Sequence, residues 1–196
     1  MKLFCSNQQA RLALFLQEFR ERPFSYTPTT QLREKETSLV VLEQTTLTNL
    51  SFCNVDFLFA YNIFPDRIMT FAADWQQQGR TMQEGDVIVQ QIFLPPWPLS
   101  LKCIFAVRVL QTFRDSVRVG FRYGTLKGHA EMGISEFSFS LHNKTLYATI
   151  HTYSSPGILL AQVVAPLFTL PYQQYCTNQA LQHLRTAFLE SNRAPL

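Results

Sequence analysis

The sequence predicts an α+β fold: a curved antiparallel sheet of about six to seven strands gripping a long, kinked C-terminal helix, with an additional N-terminal helix. Three observations carry this. Short β-patterned segments separated by tight turns fill the chain from Asp86 onward. One of their hairpins can be read in register, with an apolar and a polar face. Beyond it, apolar residues at helical spacing run to Phe188, interrupted by Pro166 and Pro171.

Asn7 to Arg22 sets Leu12, Phe15, Leu16 and Phe19 on one helical face, and Pro23 stops it. Residues 26–36 are polar and turn-rich, which predicts a surface connection. Ser38 to Thr48 has β character from Leu39, Val40, Val41, Leu42 and its threonines. Phe64 to Gln78 is a helix candidate with Gly79 as its stop. Val87 to Phe93 is a strand closed by Pro95-Pro96-Trp97-Pro98, which cannot continue a ladder. Strands over Leu101–Phe113, Val117–Tyr123, Ile134–His142 and Thr145–Tyr153 complete an antiparallel meander.

With Asn143-Lys144 as a tight turn, Leu141 faces Leu146, Phe139 faces Ala148 and Phe137 faces Ile150. The other face then pairs His142 with Thr145, Ser140 with Tyr147, Ser138 with Thr149 and Glu136 with His151. A slip by one residue would mix the two sets. After Ser154-Ser155-Pro156, which suits a helix start, Ile158, Leu159, Val163, Leu167 and Leu170 line one side, followed by Tyr175, Leu181, Leu184 and Phe188. A proline inside a helix costs about 3 kcal/mol, so a kink or two helices are expected.

Residues 1–196 fit a single domain, with 1–25 as an N-terminal helical extension and 38–196 as the core. Hydrophobic residues at 46% and charged residues at 16% exclude wholesale disorder. Seventeen phenylalanines imply a core, or a cavity lining, rich in rings. The net charge of +3 is scattered, without a basic stripe, so nucleic acid is not an expected partner. Cys5, Cys53, Cys103 and Cys176 are widely spaced with no CxxC pair, which predicts reduced thiols and a cytoplasmic setting. No signal peptide and no membrane-spanning run is expected, so the reading is a soluble protein without stable membrane insertion.

The loop Tyr123-Gly124-Thr125-Leu126-Lys127-Gly128-His129, with Gly133, Phe137, Ser154 and Pro156 after it, resembles the DUF1990 (UPF0548) family, whose pattern is close to YGTLPGHPxxGEEAF with a later SRPA-like element. The resemblance covers roughly residues 64–188. It implies a helix-grip fold related to the START and Bet v 1-like superfamily, no established activity, and by analogy the binding of lipids or other hydrophobic small molecules. The chain departs from that pattern. The family's adjacent glutamates fall on Ile134 and Ser135, Glu136 takes a normally small position, Ser155 stands for the arginine, and Lys127 for the proline. An acid-base role of the glutamate pair does not carry over.

The glycine loop lacks the order of a phosphate-binding loop, and a strand follows it, so its glycines are expected to serve the turn through positive φ angles. His129, with Tyr123 and Glu131 near in sequence, could form an acid-base group; alternatively it fastens the loop through backbone hydrogen bonds. Glu136 and His151 read as a pair on a solvated sheet surface. The histidines His129, His142, His151 and His183 have no metal-ligand spacing, so neither metal nor cofactor is expected. Phe93, Trp97, Phe105, Phe121, Phe137, Phe139, Ile150, Leu159, Val163 and Leu167 are the expected lining of a cavity between sheet and C-terminal helix, or else ordinary core. The leading functional expectation is an apolar small molecule or lipid held there. The alternatives are a cyclase, isomerase or hydrolase using His129 with Tyr123 or Glu131, and a protein-interaction module with an apolar patch near Trp97.

Overall fold

A computed structural model describes residues 1–94, 101–156 and 170–193. In chain order the elements are β1 (Lys2–Phe4), a 3-10 turn (Gln9–Arg11), α1 (Leu12–Arg20), β2 (Arg33–Leu42), a second 3-10 turn (Leu50–Phe52) and α2 (Asp56–Phe59). Then come β3 (Met69–Ala73), α3 (Asp74–Gln78), β4 (Val87–Leu94), β5 (Leu101–Arg114), β6 (Arg118–Thr125), β7 (Glu131–His142), β8 (Thr145–Pro156) and α4 (Leu170–Ser191). The strands form one sheet in the order β2-β8-β7-β6-β5-β4-β3, with β1 paired to β5. Every pairing is antiparallel.

The β7–β8 hairpin has the expected register, with Phe137 opposite Ile150, Phe139 opposite Ala148 and Leu141 opposite Leu146. Asn143 (φ +48°) and Lys144 (φ +61°) are both left-handed, which matches the twist of the flanking strands. On the concave face, rings from β6 and β7 pack together: Phe121 and Phe137 stack at 5.5 Å, and Phe139 meets Phe188 of α4 at 5.0 Å. α4 lies against β2 and β8. Its buried residues Ala180, Leu181, Leu184 and Phe188 follow one helical stripe, whereas Tyr175 is exposed. Ile158, Leu159, Val163, Pro166 and Leu167 fall outside the described residues. So does the expected kink at Pro166.

The segment 50–63 covers the rest of the concave face with Leu50, Val55, Leu58, Tyr61 and Ile63, all buried. Asn192, at the end of α4, clips this segment in place: its side chain accepts from Asn54 N at 2.8 Å and donates to Asn54 O at 2.9 Å. On the convex face, Leu12, Phe15, Leu16 and Phe19 of α1 cover Val87, Val89, Ile104 and Ala106. The expected amphipathic N-terminal helix is therefore present, and it packs on the side of the sheet away from α4.

Ser154-Ser155-Pro156, expected to start the last helix, instead end β8, paired with β7. Two longer segments also differ from expectation. Most of the segment read as a helix over Phe64–Gln78 is not helical: Met69–Ala73 is the edge strand β3, and only Asp74–Gln78 coils before Gly79 at φ +61°. Met69 and Ala73 join the main core while Ala72 packs under α1, so β3 is covered on both faces and loses the alternation that marks a strand. β2 begins at Arg33, inside the stretch read as a surface connection. Its first half is an edge strand bearing Arg33, Glu34, Lys35 and Glu36, whose charges disguise the strand.

Phe139→Ala should cost about 3–5 kcal/mol, because it empties a site between β7 and Phe188. Lys144→Gly should raise stability by about 1 kcal/mol by relieving a left-handed lysine. Urea denaturation of both variants checks the two signs.

Candidate functional site

The YGTLKGH loop distributes its side chains between the two faces of the sheet. Tyr123 points into the concave core, and Leu126 is fully buried under α1. Gly124 is required by close approach: a Cβ there would lie 2.4 Å from the Tyr26 hydroxyl and 2.9 Å from the Phe24 ring. It has no positive φ, so the expected turn role falls to Gly128 alone, at φ +91°. Thr125 ties the loop to β7, its hydroxyl accepting from Gly133 N at 2.8 Å and donating to Gly133 O at 3.1 Å. Gly133 tolerates no side chain, since a Cβ would sit 1.9 Å from Tyr153 O.

His129 returns to the concave side, its ring 4.2 Å from that of Phe105. The hairpin register decides its hydrogen bonding. Across a tight turn the flanking pair His142–Thr145 is hydrogen-bonded, and strict alternation makes Glu131–Pro156 a non-hydrogen-bonded pair. Glu131 N–H therefore points away from β8, and it donates to His129 Nδ1 at 3.0 Å. A buried N–H needs an acceptor more than a carbonyl needs a donor, so Nδ1 carries the lone pair and Nε2 the proton. Nε2 has no partner among the described residues.

His129 thus fastens the loop through the Glu131 backbone, whose amide and carbonyl both lie 3.0 Å from Nδ1. Burial pushes its pKa down to about 3, and burial pushes that of Glu131 up, against the opposing pull of Lys35 and Ser154. Yet both residues keep some accessible surface.

Beside them is a polar network set among rings. Gln90, 3% exposed, donates to the hydroxyl of Tyr61, 1% exposed. Tyr123 has polar contacts with Ser135, Tyr61 and Gln90, and burial raises the pKa of both tyrosines. Tyr61 follows α2 in a left-handed conformation, φ +64°, where a glycine would be usual. The strain, about 1–2 kcal/mol, is offset by the burial of its ring against Phe71 and Phe121. The sequence reading missed Tyr61, Gln90 and Ser135. The visible signal was Gln90-Gln91 in the middle of an apolar strand.

Tyr123, His129 and Glu131 thus gather at one end of the concave face. Glu131 acts electrostatically on Tyr123, while His129 meets Glu131 at its backbone. Of the expected lining, Phe105, Phe121, Phe137, Phe139 and Ile150 are buried. Phe93 is half-buried, and its carbonyl accepts from the Tyr172 hydroxyl at 2.5 Å. Trp97, Leu159, Val163 and Leu167 lie outside the described residues. Two surface grooves, of about 600 Å3 beside Trp75 and Arg114 and about 500 Å3 beside Phe52 and Asn192, border none of these residues.

Glu136 and His151 are opposite each other as expected, but they do not pair chemically. Glu136 is 4% exposed, held by Arg118 and, at 2.7 Å, by Arg122. His151 instead contacts Glu34 at 2.7 Å and Glu36 at 3.6 Å. The solvated-surface reading fails for Glu136 because two arginine stems cover it.

Residues 53–183 match the family model described as a domain of unknown function, DUF1990. The chain belongs to the DUF1990 family. The match leaves β1, α1 and β2 upstream of the family domain. No curated protein is similar to the chain in sequence. Among solved structures, hypothetical protein jhp0584 of Helicobacter pylori is 8% identical over 85% of this chain and 94% of its own, with a TM-score of 0.52. The di-domain ARO/CYC StfQ from the steffimycin biosynthetic pathway is 8% identical over 90% of this chain and 53% of its own, at 0.51. KanY protein is 5% identical over 81% of this chain and 99% of its own, at 0.50. These likenesses show the fold, a helix-grip α+β arrangement. Among the described residues no helix is long and apolar enough to cross a membrane.

The neutral form of His129 is the one the folded state accepts. Its contribution is present above the unfolded value of 6.5 and is lost as pH falls toward about 3. Glu131 has the opposite sign, favouring the folded state below its own unfolded value. His129→Gln isolates the first effect. From about pH 7 to about pH 4, the stability difference between wild type and variant should move steadily against the wild type. A pH-independent difference in urea denaturation would contradict burial of the neutral ring.

Proposed function

We propose that this DUF1990 protein holds an apolar small molecule or lipid in a recess between the concave face of the sheet and the C-terminal part of the chain. The observation that carries this reading is the polar group at one end of an otherwise aromatic face. His129 and Glu131 are desolvated yet accessible, and Tyr61, Gln90, Tyr123 and Ser135 adjoin them. Buried polar atoms are costly in a core that exists only to be packed, whereas a few placed among rings are what fixes the orientation of a ligand. In this proposal the half-buried Phe93, together with Phe105 beside His129, supplies the apolar wall, backed by the buried Phe137 and Ile150. Phe121 and Phe139 have no accessible surface and pack as core. Trp97, Leu159, Val163 and Leu167 lie outside the described residues. The fold shared with an ARO/CYC protein supports the reading only by analogy.

Binding is favoured over catalysis. A general base works best with a pKa near the operating pH, and His129 is held far below it. The positions of the family's adjacent glutamates carry Ile134 and Ser135 here. An interaction module is less well supported, because the uncovered half of the convex face bears Glu34, Arg118, Arg122 and Thr149 rather than an apolar patch. Free thiols at Cys5, Cys53, Cys103 and Cys176 suit the cytosolic setting we propose.

Native mass spectrometry and organic extraction of gently purified protein should reveal a bound apolar compound, and the emptied protein should bind 1-anilinonaphthalene-8-sulfonate. Ser135→Trp, which fills the recess, should weaken that binding about tenfold or more while the fold persists by circular dichroism. A protein that carries nothing and binds no apolar probe would sink the proposal.

A further inference from the structure

We infer that the occupant of this recess is an uncharged, ring-bearing molecule whose carbonyl or ether oxygen accepts a hydrogen bond from His129 Nε2–H. The inference rests on the ligand-binding reading above and names the chemistry of the ligand. It starts from the hairpin register, which sends Glu131 N–H to Nδ1 and leaves the ring's one proton on Nε2. That donor has no partner among the described residues. A desolvated N–H without an acceptor is unfavourable, so an oxygen atom is its natural complement. The ring is also fixed in orientation, braced by Phe105 on one side and by the Glu131 backbone on the other.

The charge and shape of the ligand follow from the neighbours. His129 offers a dipole rather than a charge, because burial holds it neutral. Burial disfavours the charged form of Glu131 as well, and Lys35, the cation acting on it, is exposed on β2. A site that suppresses its own charges does not favour an ionic ligand. Phe105 places a ring beside the donor, at 4.2 Å from that of His129, and flat aromatic ligands use such rings in offset or edge-to-face contact.

The test compares two probes of matched shape, 2-acetylnaphthalene, which has the acceptor oxygen, and 2-isopropylnaphthalene, which lacks it. Dissociation constants are measured by calorimetry for the wild type and for His129→Phe. The ratio of the two affinities should move about tenfold toward the hydrocarbon in the variant, the size expected for one hydrogen bond to a buried donor. If the wild type binds both probes and the ratio is unchanged in the variant, this inference fails and the ligand-binding reading stands. If the wild type binds neither, both fail.

A second measurement does not depend on the variant folding. In the wild type labelled with 15N at histidine, His129 should show a protonated Nε2 and a bare Nδ1. Its Nε2 resonance should shift on adding 2-acetylnaphthalene and stay in place with 2-isopropylnaphthalene. A proton on Nδ1, or equal shifts with both probes, overturns the inference.

Discussion

The register of the β7–β8 hairpin is the constraint on which the rest depends. Its alternation puts Phe137, Phe139 and Ile150 against the segment 50–63 and α4, and it turns Glu136, Ser138 and Thr149 the other way. The same parity sends Glu131 N–H away from β8 and toward His129. One strand pairing therefore sets both the packing of the core and the proton position on a ring at its edge. The left-handed Asn143 and Lys144 at the turn fix that parity locally, before any distant contact is made.

Much of this was legible from the residues. The hairpin separates its faces so cleanly that only one register is possible, and α1 shows its buried stripe in plain spacing. β3 was not legible, because covering on both faces removes the alternation that distinguishes a strand from a helix. Nor was the start of β2, where an exposed edge tolerates charges that read as loop. In the candidate site, His129, Tyr123 and Glu131 were marked by the motif. Tyr61 and Ser135 were not, since their roles arise from a left-handed backbone and from cross-strand placement, neither of which leaves a local pattern. Gln90 was visible as a polar residue in an apolar run, and only tertiary contact explains it.

The convex face has its own logic. Half of it is sealed by α1, and the other half is open and polar, organised around a single buried carboxylate. Glu136 sits between Arg118 and Arg122, and Ser138 donates to it at 3.4 Å. A carboxylate taken out of water is tolerated there because cations reach it from both sides. Arg118 in turn lies over the Phe113 ring at 4.8 Å, and that ring covers the bare backbone of Gly120. The polar surface is thus a chain of dependent contacts rather than independent decoration.

The rim of the sheet has a consequence for the molecule as a whole. Along β2, Glu34 and Glu36 share one face with His151, and Arg33 and Lys35 occupy the other. If two such rims met about a twofold axis, antiparallel pairing would bring residues of the same face together. Carboxylate would then stand against carboxylate and cation against cation. The row that makes the strand hard to recognise thus disfavours the pairing of two such rims about a twofold axis.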